Sequence, residues 1–107
     1  MRRGDFVTVA IQGDFGKPGP ALVVQANQFG ALATLTVLPV TSTIVNAPLL
    51  RITVEPNERN RLARPSQVMI DKAITVRRDK VGPAFGTADD ELMLAVNRAL
   101  LVLLGIA

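Results

Sequence analysis

The 107-residue chain has no cysteine, no histidine, no tryptophan and no tyrosine. Each absence removes a class of chemistry. Without cysteine there are no disulfides and no thiolate nucleophile, which suits a reducing compartment. Without histidine there is no His-ligated metal site and no Ser-His-Asp triad, so proton transfer falls to Asp, Glu, Lys, Arg or water. The only aromatic residues are four phenylalanines. The core must therefore be built from Val, Leu, Ile and Ala. No apolar segment follows Met1-Arg2-Arg3, so no secretion signal is expected and the cytoplasm is the expected location. Leu100–Leu104 is apolar all round but too short for a membrane span.

What is present suits a small β protein. Hydrophobic residues make up 49% of the chain, enough for one domain over residues 1–107 with a modest core. The formal net charge is +3, which favours anionic partners. Between Arg51 and Lys80 lie eight basic residues and four acidic ones. That middle third is either a surface for an anion or the solvated face of a basic protein.

Periodicity divides the chain. Phe6–Ile11 alternates, with Val7, Val9 and Ile11 on one face, and reads as a strand. Arg3-Gly4-Asp5 spells a cell-adhesion tripeptide, taken as chance. Gln12–Pro20 is a loop without Walker spacing, and Pro18 removes an N–H that a phosphate loop needs. Phe15 at its tip is either a base-stacking group or a lid folded onto the core. Ala21–Gln25 reads as a buried strand, Ala26–Ala31 as a turn with Phe29 folded inward, and Ala33–Val40 as the next strand. Pro39 limits pairing near its end. Thr41, Ser42 and Thr43 follow, with hydroxyls free to face solvent or a ligand. Leu50–Val54 alternates, with Leu50, Ile52 and Val54 inward and Arg51 and Thr53 outward. Gln67–Asp71 and Ala73–Val76 are two further strand-like runs, or one bent strand, with Asp71 and Lys72 as a structural pair. From Thr87 the period becomes helical, with Thr87 as cap and Asp90 in capping-box position. Leu92, Val96, Ala99 and Leu103 form one stripe, and Gly105 is the stop. Five or six short strands and one terminal helix predict a mostly-β fold.

Five segments, in order, carry a family resemblance. They are Arg-Gly-Asp-Phe-Val at 3–7, Gly-Lys-Pro-Gly-Pro-Ala-Leu-Val-Val-Gln at 16–25, Val-Leu-Pro-Val-Thr-Ser at 37–42, Ser-Gln-Val-Met-Ile-Asp-Lys at 66–72, and the apolar run 92–105. Together they resemble the MazF/PemK toxins of bacterial toxin–antitoxin pairs. The resemblance implies a small SH3-like barrel of antiparallel strands with a C-terminal α-helix, a homodimer, and no cofactor or metal. It implies single-stranded RNA as substrate, an acidic antitoxin as partner, and DNA binding together with that antitoxin.

The implied chemistry needs no histidine. The RNA 2′-hydroxyl attacks the adjacent phosphorus, and the protein supplies a cation and hydrogen-bond donors. In the family an arginine before Pro-Ala-Leu-Val-Val and a threonine after Val-Leu-Pro-x do this work. Those positions are Gly19 and Thr41 here. Thr41 can donate to a phosphate oxygen, or instead bond the local backbone to end its strand. Gly19 brings no charge, so a weak or inactive nuclease is expected. Three explanations compete: a substitution that spares the producing cell, a silent relative, or Lys17 reaching the phosphate. Lys17, Phe15, Ser42, Arg64, Ser66 and Gln67 are the expected RNA contacts. Some relatives carry Asp where Ser66 stands. A gyrase-binding toxin resembling CcdB is the alternative, although the tail Leu104-Gly105-Ile106-Ala107 lacks that group's aromatic. A non-toxic binding module is the third.

Overall fold

The computed structural model describes residues 1–10 and 18–107. Among these, seven strands and one helix follow in the order β1 (Asp5–Ala10), β2 (Pro18–Val23), β3 (Thr34–Thr41), β4 (Arg51–Val54), β5 (Ser66–Met69), β6 (Ile74–Arg77), β7 (Gly86–Thr87) and α1 (Asp90–Leu103). The strands form an antiparallel sheet ordered β4-β5-β3-β2-β1-β7, with β6 paired to β3. The sheet curls into a half-barrel that the helix packs against. This is the mostly-β architecture that the alternating runs predict. The two runs around Asp71 are separate strands, β5 and β6, joined by a 3₁₀ turn at Ile70–Lys72. No helix among the described residues is long and apolar enough to cross a membrane.

Strand alternation builds two cores, one on each face of the curl. Val7, Val9, Ala21, Val23, Leu35 and Val37 fill one, with Ile74, Val76 and Val81 packed on it. Phe6, Leu22, Leu38, Val40, Val68 and Val96 belong to the other, beneath the helix. Each fully buried aliphatic side chain contributes about 1.5–3 kcal/mol. Small side chains suffice because neighbouring strands supply partners on both faces.

The Arg3-Gly4-Asp5 tripeptide is part of this framework. Gly4 is buried at φ 94°, a conformation glycine adopts without steric cost. Its N–H donates to the Val23 carbonyl at 2.8 Å, and its carbonyl accepts from Ala88 N–H at 2.8 Å. The Arg3 guanidinium donates to Asn97 Oδ1 at 2.6 Å, tying the N-terminus to α1.

Several local expectations are corrected. Phe29 is 46% exposed, because the turn that carries it lies outside both cores. Thr87 does not cap the helix. It pairs with Asp5 in β7, and its hydroxyl accepts from Arg59 Nε at 3.1 Å. Asp89 caps instead, accepting from Leu92 N–H at 2.8 Å. Gly105 does end the helix, at φ 74°. Its N–H bonds the Val102 carbonyl and the Ile106 N–H bonds that of Leu101, the paired closure that a left-handed residue permits. Leu103 of the expected stripe is 42% exposed, because the helix extends past the sheet at its end. Arg51 is not an outward residue: its side chain is only 15% exposed and pairs with Asp71.

Candidate active site

Pro18-Gly19-Pro20 opens β2. Val24 N–H donates to the Thr36 carbonyl and Gly4 N–H to the Val23 carbonyl. By alternation, even-numbered residues of β2 turn their backbone groups to β3 and odd-numbered ones to β1. Pro18 and Pro20 therefore fall on the β3 side and have no N–H to offer. The β2–β3 ladder runs only through Ala21–Pro39, Leu22–Leu38 and Val23–Val37, while Gly19 remains paired to Val9 of β1. Beyond Pro39, β3 parts from β2, and Val40 and Thr41 pair with Val68 and Gln67 of β5. The sheet forks here.

A second irregularity deepens the fork. On their shared side, β3 pairs with β6 up to Val37–Ile74 and with β5 from Val40–Val68. Two residues of β3, Leu38 and Pro39, thus face the five-residue stretch 69–73. The excess is extruded as the turn that carries Asp71 and Lys72. Pro39 lies in this gap, so its missing N–H costs no ladder bond.

A cavity of about 570 Å³ occupies the fork. Gly19, Thr41, Met69, Asp71, Lys72 and Ile74 are among the residues that line it. A second cavity, of about 330 Å³, lies on the other side of Thr41 and is lined in part by Ser42, Leu62, Arg64 and Ser66. Pro20, Val40 and Thr41 border both. Thr41 is half-buried at the junction. Its Oγ1 accepts from Thr43 N–H at 3.1 Å, and among the described residues its hydroxyl proton has no acceptor. The local reading of this threonine is observed: its hydroxyl bonds the backbone two residues on and shapes the strand end.

The wall of the second cavity is stiff. Asn60 is 2% exposed. Its Oδ1 accepts from Asn57 N–H at 3.1 Å and Leu62 N–H at 3.0 Å, and its Nδ2 donates to the Glu55 carbonyl at 2.9 Å. Gly86 lets β7 press on this loop, since a Cβ there would stand 2.1 Å from the Asn60 carbonyl oxygen. Arg64, two residues beyond Leu62, is exposed to solvent.

Of the expected site residues, Gly19, Thr41, Ser42, Arg64 and Ser66 gather around these two cavities. Lys17 and Phe15 lie outside the described residues. Gln67 is corrected. It is 3% exposed, and its amide is spent inside the protein. Nε2 donates to the Val45 carbonyl at 3.0 Å and Thr53 Oγ1 at 3.3 Å, while Oε1 accepts from Val45 N–H at 3.1 Å. It braces the segment after β3 and has no group left for RNA. Ser66 is 4% exposed, and its hydroxyl donates to the Arg64 carbonyl at 2.8 Å. That bond ties the start of β5 to the loop bearing Arg64.

Sequence reading missed the Asp71–Lys72 wall of the larger cavity. Taken as a closed pair, these residues carried no ligand signal beyond the basic middle third. Asp71 instead pairs first with Arg51, through Oδ1. The Arg51 guanidinium beside it holds the Asp71 carboxyl below its ordinary value near 3.8. Lys72 Nζ stands 3.7 Å from Asp71 Oδ2, and its side chain is 58% exposed. Among the described residues no three carboxylates converge as metal ligands would.

The family profile described as PemK-like, MazF-like toxin of type II toxin-antitoxin system matches residues 2–104. A probable endoribonuclease MazF of Mycolicibacterium smegmatis is 45% identical over 108 residues, covering 100% of this chain and 99% of that protein. Two solved structures share the fold. One is an endoribonuclease in complex with its cognate antitoxin from mycobacterial species, with TM-score 0.82 and 23% identity, covering 100% of this chain and 97% of that one. The other is MazF from Deinococcus radiodurans, with TM-score 0.78 and 23% identity, covering 98% and 96%. A profile spanning nearly the whole chain, a relative of matching length and a shared overall fold agree: the chain belongs to the PemK-like, MazF-like family of type II toxin–antitoxin toxins.

Proposed function

We propose that this toxin is an endoribonuclease that cleaves single-stranded mRNA in the forked groove around Thr41, and that glycine at position 19 slows it. The observation that carries this reading is that Gly19 and Thr41, 22 residues apart in sequence, line one cavity. The RNA 2′-oxygen forms a bond to phosphorus, its proton passing to water. The bond to the 5′-oxygen breaks, and that oxygen takes a proton. The products are a cyclic phosphate and a 5′-hydroxyl end. Thr41 donates to a non-bridging oxygen as charge gathers there, and Arg64, across the shared rim, holds a flanking phosphate. Ser42 lies at the same rim, open to the strand. No step requires a metal or a cofactor.

An acidic antitoxin would cover this basic groove and silence the toxin, as a disordered segment that folds on binding. A second copy of the chain would cover the apolar end of α1, where Leu101, Val102, Leu103 and Leu104 are all exposed. A monomer mass by light scattering would remove that part of the reading. An mRNA substrate and a cysteine-free chain fit action in the cytoplasm. The matches reported are to MazF toxins, and nothing among them supports the gyrase-binding alternative.

The test is cleavage of single-stranded RNA by the purified chain, with the new ends identified by mass spectrometry. Cyclic phosphate and 5′-hydroxyl ends are expected, and Thr41→Ala should cut the rate about a hundredfold. Ends carrying a 5′-phosphate would refute the proposed chemistry. Cleavage unaffected by Thr41→Ala would refute the site.

A further inference from the structure

A groove that cleaves RNA needs positive charge where the phosphate sits, and Gly19 brings none. Two basic side chains, Arg51 and Lys72, flank Asp71 at the larger cavity, and they are not equivalent. Arg51 is committed: its side chain is 15% exposed and bound to Asp71 Oδ1, and it also donates to the Leu50 carbonyl at 3.1 Å. It already neutralises the Asp71 carboxylate. Lys72 is not committed. At 3.7 Å and 58% side-chain exposure, its contact with Asp71 is a surface ion pair of small worth. A single carboxylate between two cations leaves one positive charge over, and that charge belongs to the residue free to move.

The register mismatch places this charge. The turn carrying Lys72 is extruded opposite Leu38 and Pro39, immediately before the strand end that holds Thr41. Lys72 lines the same cavity as Gly19 and Thr41. Position 19 has no side chain, and a Cβ built there meets no heavy atom of the described residues within 4 Å. That space is available to the Lys72 ammonium, which borders the same cavity.

We infer that Lys72 is a catalytic residue of this toxin, supplying the cation of the cleavage site that position 19 lacks. On binding RNA its ammonium leaves Asp71 Oδ2 for a non-bridging oxygen of the scissile phosphate, beside the Thr41 hydroxyl. Asp71 stays with Arg51 and acts as the parking place for Lys72 in the free protein. A flexible ammonium is a point charge without the bidentate geometry of a guanidinium, so it restores only part of the lost rate. This inference rests on the endoribonuclease reading above.

The experiment compares the wild-type chain, Lys72→Ala, Lys72→Arg, Lys17→Ala, Gly19→Arg and the double variant Gly19→Arg/Lys72→Ala in single-turnover RNA cleavage. Lys72 is exposed, so its replacement leaves the fold intact. Lys72→Ala should lower the wild-type rate about tenfold or more, and Lys72→Arg should restore most of it. In the Gly19→Arg background the same alanine should cost only about two- to threefold, because two cations serving one phosphate are not additive. A merely structural lysine would not show that background dependence. Wild-type cleavage unchanged by Lys72→Ala overturns the assignment while leaving the endoribonuclease reading standing. So does a loss seen in Lys17→Ala but not in Lys72→Ala, or a wild-type chain that is inert while Gly19→Arg cleaves. If neither wild type nor Gly19→Arg cleaves RNA, the endoribonuclease reading itself fails and the lysine's role with it.

Discussion

Replacing Gly19 by arginine is the sharpest perturbation that the groove offers. Gly19 sits in an ordinary strand register opposite Val9, and its φ lies outside the left-handed region. A Cβ there meets no heavy atom of the described residues within 4 Å, so a longer side chain can start toward the cavity that Gly19 lines without displacing any of them. Glycine inside a strand costs about 0.5–1 kcal/mol in backbone entropy, so the substitution should not lower the melting temperature. The catalytic effect should be much larger. A well-placed charged donor in the transition state is worth roughly a hundred- to a thousandfold. With Lys72 already supplying part of that charge, the gain should be about a hundredfold, or about 2.7 kcal/mol at 1.36 kcal/mol per tenfold. The assay is single-turnover cleavage of a short single-stranded RNA at saturating enzyme, which removes binding and product release from the rate. Expression should also become more toxic to the host. A Gly19→Arg protein that melts like the wild type yet cleaves no faster would refute the reasoning, because the guanidinium would then have no phosphate within reach.

Two further outcomes follow from buried contacts. Gln67→Ala should destabilise the fold by about 1–2 kcal/mol, since it removes the amide that pairs with both backbone groups of Val45. Urea unfolding would read this, and the salt dependence of RNA binding should stay unchanged because Gln67 contacts no phosphate. Asp71 should make the protein acid-sensitive. Its folded-state pKa lies below the ordinary 3.8 because Arg51 bonds the carboxylate. The stabilisation is therefore present above 3.8 and is lost as the pH falls through the lower folded value. Thermal melts between neutral and strongly acidic pH should show this loss in the wild type, and Asp71→Asn should remove that contribution to the acid limb.

The strands announced themselves through side-chain alternation. Val7 and Val9, and Leu35 and Val37, lie on the faces that a two-residue period assigns, because that period is a property of the extended backbone alone. Gly105 was equally readable as a helix stop, since a left-handed φ favours glycine. Contacts across the molecule were not readable. Gln67 looked available for RNA until Val45 was found against it, 22 residues away. Arg51 looked outward until Asp71 met it, and Thr87 looked like a cap until Asp5 and Arg59 claimed it.

The same division runs through the groove. That the chain would be mostly β, that its core would be aliphatic, that chemistry would proceed without histidine or thiol, and that position 19 would bring no charge all follow from residue identities and their local spacing. The fork between β2 and β3 was half written, in the two prolines that remove N–H donors. The cavity needed more. It exists because five residues are matched against two where β3 passes from β6 to β5. Register between distant strands is settled by the packing of both cores together, and no local pattern encodes it. That mismatch is what brings Lys72 to the cavity that Gly19 also lines.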